Sequence, residues 1–184
     1  MQKKMLVAAL AGAALLVGAC ATIARPGPVG NRAVPEPARP VDLTQYMGRW
    51  YEQLRYEASF EKDMDEVTAD YSLNPDGSVK VVNRGRRAGA KAFSESAGKA
   101  KVADPATNAK LKVSFFGPFY GDYWILDHAD NYDWSIVGEP SGRYLWVLTR
   151  AARPSPDVLD RLRKRVEALG YDGSLIRVTR HDTD

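Results

Sequence analysis

The chain of 184 residues holds one cysteine, Cys20, and two histidines, His128 and His181. A thiol can serve as nucleophile, metal ligand, disulfide partner or acyl acceptor. With no second cysteine, an intrachain disulfide and a thiolate cluster are excluded. The histidines are far apart in sequence and show none of the spacings that signal zinc, so each reads as a surface residue. Ser114, Ser135 and Ser141 lack the Gly-x-Ser-x-Gly context of a nucleophile elbow. Carboxylates are plentiful but fall mostly in turn sequences. The chain is therefore not expected to be an enzyme, and neither a metal nor any other cofactor is expected.

Where Cys20 lies says what its sulfur is for. Met1-Gln2-Lys3-Lys4 is a short positive head, Met5 to Val17 carries no charge, and Gly18 and Ala19 close the run with small residues. That is the pattern of a secretory signal peptide, and it is too short for a spanning helix. Leu16-Val17-Gly18-Ala19-Cys20 resembles the bacterial lipobox, which implies a lipidated Cys20 after cleavage of residues 1–19. Two or more acyl chains are needed for a stable anchor, because one gives only marginal binding. Ala21 after the cysteine, in place of Asp, points by analogy to the outer membrane. Loss of Lys3 and Lys4 leaves 24 cations against 23 acids, a charge of +1 in place of +3. So neutral a chain has no nucleic-acid footprint.

Residues 20–40 hold Pro26, Pro28, Pro35, Pro37 and Pro40 and few core-forming side chains, as expected of a semi-rigid, solvated tether. Residues 41–184 are of single-domain size. Their period is mostly two. Val67, Ala69, Tyr71 and Leu73 lead into the turn Asn74-Pro75-Asp76-Gly77, and Val79, Val81 and Asn83 continue beyond it. Leu111, Val113 and Phe115 alternate with polar residues. Strands are also expected over 51–60, 92–102, 123–126, 134–138 and 144–150. Eight short strands predict a closed barrel or a sandwich. Ser155-Pro156 then opens a helix whose apolar stripe is Val158, Leu159, Leu162, Val166 and Leu169, with Gly170 at its end. The strand Tyr144 to Thr149 is apolar on both faces, so it can line a barrel and receive that helix outside. This favours a calyx.

Gly48-Arg49-Trp50-Tyr51 looks like the first signature of the lipocalins, Asp130-Asn131-Tyr132 loosely like the second, and Arg150 like the third. The stretches "TADYSLNPDGSVKVVNRG" and "KVSFFGPFYGDYWIL" are similar to bacterial outer-membrane lipocalins and to apolipoprotein D. The resemblance spans about residues 41–180. It implies an all-β, eight-stranded up-and-down antiparallel barrel with one C-terminal helix outside, facing the periplasm from a lipid anchor. Trp50 and Arg150 would then close one end by a cation–indole contact. Alternation gives the inward set as Trp50, Tyr71, Val81, Asn83, Leu111, Val113, Phe115, Trp146 and Leu148. The resemblance places Tyr71, Asn83, Phe115 and Trp146 on the calyx lining, and Val113 is taken with them as ligand-binding. Alternation alone does not exclude a filled core made of the same residues.

Arg84, Arg86 and Arg87 fall after the third strand, where the resemblance puts a rim loop. They are either a solvated loop or cations that steer an anionic headgroup. Phe116 to Gly121 would be a second rim element, facing a membrane, a partner or the pocket as a lid. The expected cargo is a fatty acid or a lysophospholipid, held for storage, transport or repair of the outer membrane. Two other classes stand beside it: an envelope structural lipoprotein without cargo, and a lipocalin-fold enzyme. A homodimer is compatible with the sequence.

Overall fold

A computed structural model of the chain describes residues 27–87 and 89–182, so the expected leader and Cys20 lie outside the described residues. Asp42 caps a single-turn helix, α1 (Leu43–Tyr46), by accepting from the Thr44 and Gln45 amides. Eight strands follow: β1 (Gly48–Tyr56), β2 (Met64–Leu73), β3 (Val79–Arg87), β4 (Ser94–Val102), β5 (Lys110–Phe116), β6 (Phe119–His128), β7 (Trp134–Gly138) and β8 (Leu145–Thr149). Each pairs antiparallel with the next, and β1 pairs with both β2 and β8, so the sheet closes. A helix, α2 (Pro156–Ala168), and a short strand, β9 (Ile176–Val178), complete the order. β9 adds to β1 through Leu54, Arg55 and Tyr56. This is the expected up-and-down barrel.

Two apolar clusters divide the molecule as the alternation requires. Inside the barrel lie Trp50, Val79, Val81, Leu111, Ile125, Val137 and Leu148, with Tyr71, Val113, Phe115 and Trp146 packed against them. Outside, Leu54, Leu126, Ile136, Leu145 and Val147 receive Leu162 and Val166 of α2. β8 serves both, through Trp146 and Leu148 inward and Leu145 and Val147 outward. Gly170 ends the helix at φ +91°, a left-handed conformation that glycine adopts without a Cβ penalty. Ser155 caps the start by position only, since its side chain makes no capping hydrogen bond.

Three expectations change. Residues 27–40 are not a solvated tether. The Gly30 and Asn31 amides donate to Gly142 O, Ala38 N donates to Leu126 O, and Arg39 pairs with Asp130 and donates to His128 O. Proline keeps this segment extended, and the amides and carbonyls that remain are taken by neighbouring loops, so it lies on the barrel as a strap. His128 is buried, not on the surface; it stacks on Tyr132 with centroids 4.6 Å apart and faces the Pro40 and Ala129 carbonyls. The arginines 84, 86 and 87 are not in a loop. They belong to β3, because Arg84 pairs with Thr68 of β2 and Glu95 of β4, and Arg86 and Arg87 pair with Asp65 and Met64 of β2.

Candidate functional site

α1 covers one end of the barrel, and strand connections ring the other. Trp50 is fully buried at the sealed end, and its indole N–H donates to Tyr46 O at 2.9 Å. The Arg150 guanidinium lies 3.8 Å from the Trp50 ring centroid and donates to the carbonyls of Gln45, Arg49 and Met47, each at 2.8 Å. Desolvation pulls this guanidinium below its ordinary value. The pair thus ties the α1 turn to the ends of β1 and β8, which is a closing role.

A rung of phenols sits above this plug. Tyr46 OH lies 3.1 Å from both Ser135 Oγ and Tyr123 OH, and Tyr123 OH lies 3.0 Å from Tyr71 OH. Burial pushes the Tyr46 phenol up to about 12 and raises Tyr71 and Tyr123 as well, so all three stay neutral hydrogen-bonding groups. Tyr71 is the only member that the alternation of single strands picks out. Tyr123 becomes visible only through the β5–β6 register, in which it faces the inward Leu111.

Nearer the mouth lies a charged cluster that the sequence does not announce. Arg55 is fully buried and donates to Glu52 Oε1 at 2.7 Å, Glu61 O at 2.9 Å, and Met64 O and Thr179 Oγ1 at 3.0 Å. Trp146 Nε1 donates to Glu61 Oε2 at 3.1 Å. Desolvation, reinforced by the Glu52 charge, raises the Glu61 carboxyl well above its ordinary 4.5. The cause of the inward arginine is local: the β1–β8 register shifts between Glu52 and Leu54. A bulge changes which residues face inward, so Glu52 and Arg55 both face the interior while Leu54 and Tyr56 face α2.

The wall between these levels is apolar and aromatic. Leu111 and Val81 are buried, whereas Tyr71, Val113, Phe115 and Trp146 stay partly accessible although they pack on the interior cluster. Gly98 gives Phe115 its place, since a Cβ there would come within 2.8 Å of the ring. Gly121, paired with Val113 and two residues from the inward Tyr123, would carry a Cβ into open space. Asn83 lies on the same wall, opposite Ala69, and its buried Oδ1 has no hydrogen-bond partner among the described residues. Open space, aromatic walls and a few polar atoms are the elements of a site for an amphipathic molecule.

Arg84 and Arg86 share one face of β3, both over the Phe93 ring, while Arg87 alternates to the other. Arg84 lies 4.1 Å over the Phe93 ring, and Arg86 is held by Glu66 and Asp182. Arg87 is exposed. Of the three, Arg86 is the least free to meet an anion, because two carboxylates already neutralise it. Among the described residues no group of three His, Cys, Asp or Glu is placed to hold a metal ion.

Residues 41–181 match the family model described as "Lipocalin-like domain". The chain belongs to the lipocalins. This lipocalin is 38% identical over 172 residues to "Outer membrane lipoprotein Blc" of Escherichia coli K12, covering 90% of each chain. It is 37% identical over 147 residues to the protein of the same name from Vibrio cholerae, covering 78% of this chain and 86% of that one. Apolipoprotein D of Rattus norvegicus is 32% identical over 131 residues, covering 66% and 67%. Among solved structures, insecticyanin of the tobacco hornworm superposes with a TM-score of 0.65 at 20% identity, over 85% of this chain and 88% of that one. That last likeness concerns the fold alone.

Proposed function

We propose that this lipocalin holds a single-chain lipid, a fatty acid or lysophospholipid, in its barrel and works from an acylated Cys20 in the outer membrane. The observation that carries the reading is the partly accessible aromatic and apolar inner face, with open space at Gly121, above the plug of Trp50 and Arg150. Burial of an alkyl chain contributes roughly 0.8 kcal/mol per methylene, or on the order of 10 kcal/mol for a long chain. Ordering the chain and docking its head offset part of this, leaving about 8 kcal/mol and a micromolar Kd. The names of the bacterial relatives support the outer-membrane placement.

Val113, Phe115 and Trp146 would meet the chain, and the hydroxyl of Tyr71 and the buried Oδ1 of Asn83 would meet its polar atoms. Organic extraction of protein purified from membranes, followed by mass spectrometry, should yield a fatty acid or lysophospholipid in near-stoichiometric amount. An empty extract from protein that also fails to bind such lipids in solution would refute the reading. Cys20→Ser should abolish palmitate labelling and release the domain from membranes; retention after a high-salt wash would refute the anchor.

A further inference from the structure

The described residues expose seven large apolar side chains, and the five aromatic ones, Phe60, Phe93, Phe116, Phe119 and Tyr120, all belong to connections or strand ends at the open rim. Phe116 and Phe119 are 81% and 79% exposed and Phe60 66%. Aromatic side chains gathered on one face of a soluble domain mark an interaction surface. The chain ahead of the strap leaves from this same rim. Arg143 donates to Gly27 O, Gly30 N donates to Gly142 O at 2.9 Å, and Gly27 lies beside Glu57 in the β1–β2 connection.

From these placements we infer that the open rim docks on an anionic phospholipid bilayer, with the exposed aromatics in the headgroup region and the barrel mouth toward the lipid. The inference rests on the acylated Cys20 proposed above. Only six residues separate Cys20 from Gly27, seven Cα–Cα steps that span at most about 25 Å when fully extended. A ten-residue tilted strand such as β2 stands about 25 Å tall, so putting the sealed end on the bilayer would consume the whole segment. Charge agrees. On the rim connections the exposed charges are Lys62 and Lys91 against Asp63, whereas on the sealed-end connections they are Asp42, Asp76, Asp130 and Asp133. Interfacial aromatics and nearby cations are what an anionic bilayer selects. Docked in this way, an acyl chain passes between bilayer and barrel without crossing water.

Acylation leaves the chain without a free thiol, so Phe119→Cys at the rim and Leu73→Cys at the sealed end each provide one labelling position on an exposed side chain. The acylated proteins, carrying bimane, are reconstituted in phosphatidylethanolamine–phosphatidylglycerol vesicles containing brominated lipid. Quenching should be severalfold stronger at position 119 than at 73. Equal quenching, or stronger quenching at 73, overturns the docking while leaving the anchor intact. Label-to-label energy transfer at 119 without lipid quenching assigns the rim to a second copy of the chain and overturns it too. Protein that does not float with the vesicles overturns the anchor and the docking together.

Discussion

Gly121 offers a graded way to fill the barrel. Nothing lies within 4 Å of a Cβ built there, and the residue is not among the glycines at positive φ, so a side chain enters without backbone strain. Ala, Val and Leu place one, three and four carbons opposite Val113, where an acyl chain would run. Each added carbon displaces about one ligand methylene, worth roughly 0.8 kcal/mol. The losses should be about 0.8, 2.4 and 3.2 kcal/mol, or roughly 4-, 60- and 200-fold in Kd. Titration calorimetry with palmitate and lysophosphatidylcholine measures these values, and thermal unfolding checks that the fold persists. Affinity that stays flat from Gly to Leu, in proteins that remain folded, would refute the premise that the acyl chain lies inside the barrel.

Arg150→Ala removes the cation over Trp50 and leaves three carbonyls of the sealed end without their donor, so stability should fall by roughly 3 kcal/mol and Tm by about 10 °C; an unchanged Tm would move the pair out of the closing role. Glu61 binds its proton more tightly folded than unfolded. Its contribution is therefore fully present below the unfolded value near 4.5 and is lost as pH rises through the folded one. Glu61→Gln, which can still accept from Trp146 Nε1, should gain stability relative to the parent as pH rises from 4.5 to 8 in urea titrations; parallel profiles would contradict the raised carboxyl.

The interior was legible wherever a strand keeps a strict alternation. Leu111, Val113 and Phe115 declare their face by period alone, and the structure packs all three on the interior cluster. The helix stripe was equally plain, with Leu162 and Val166 buried against the outer wall. What was missed has physical causes. A bulge changes which side chains face inward, and nothing in "WYEQLRY" marks it, so Arg55, which alternation from Trp50 puts outside, was hidden until the register was known. The prolines of residues 27–40 argue for extension, and an extended chain may be solvated or may lie against a wall; composition cannot distinguish the two. Arg86 looked available because its acceptors, Glu66 and Asp182, are remote in sequence. Tyr46 and Ser135 come from α1 and β7, and only closure of the barrel brings them together.

The strap has a mechanical consequence. It starts at the open rim, runs to the sealed end and only there joins the barrel ahead of β1. A pull on an acylated Cys20 would therefore load its contacts one at a time, Gly27 and Gly30 before Ala38 and Arg39, and would not shear them together. Peeling residues 27–40 would lengthen the leash by up to roughly 45 Å at full extension while the closed sheet bears no force. The same segment is thus a short tether at rest and a long one under tension.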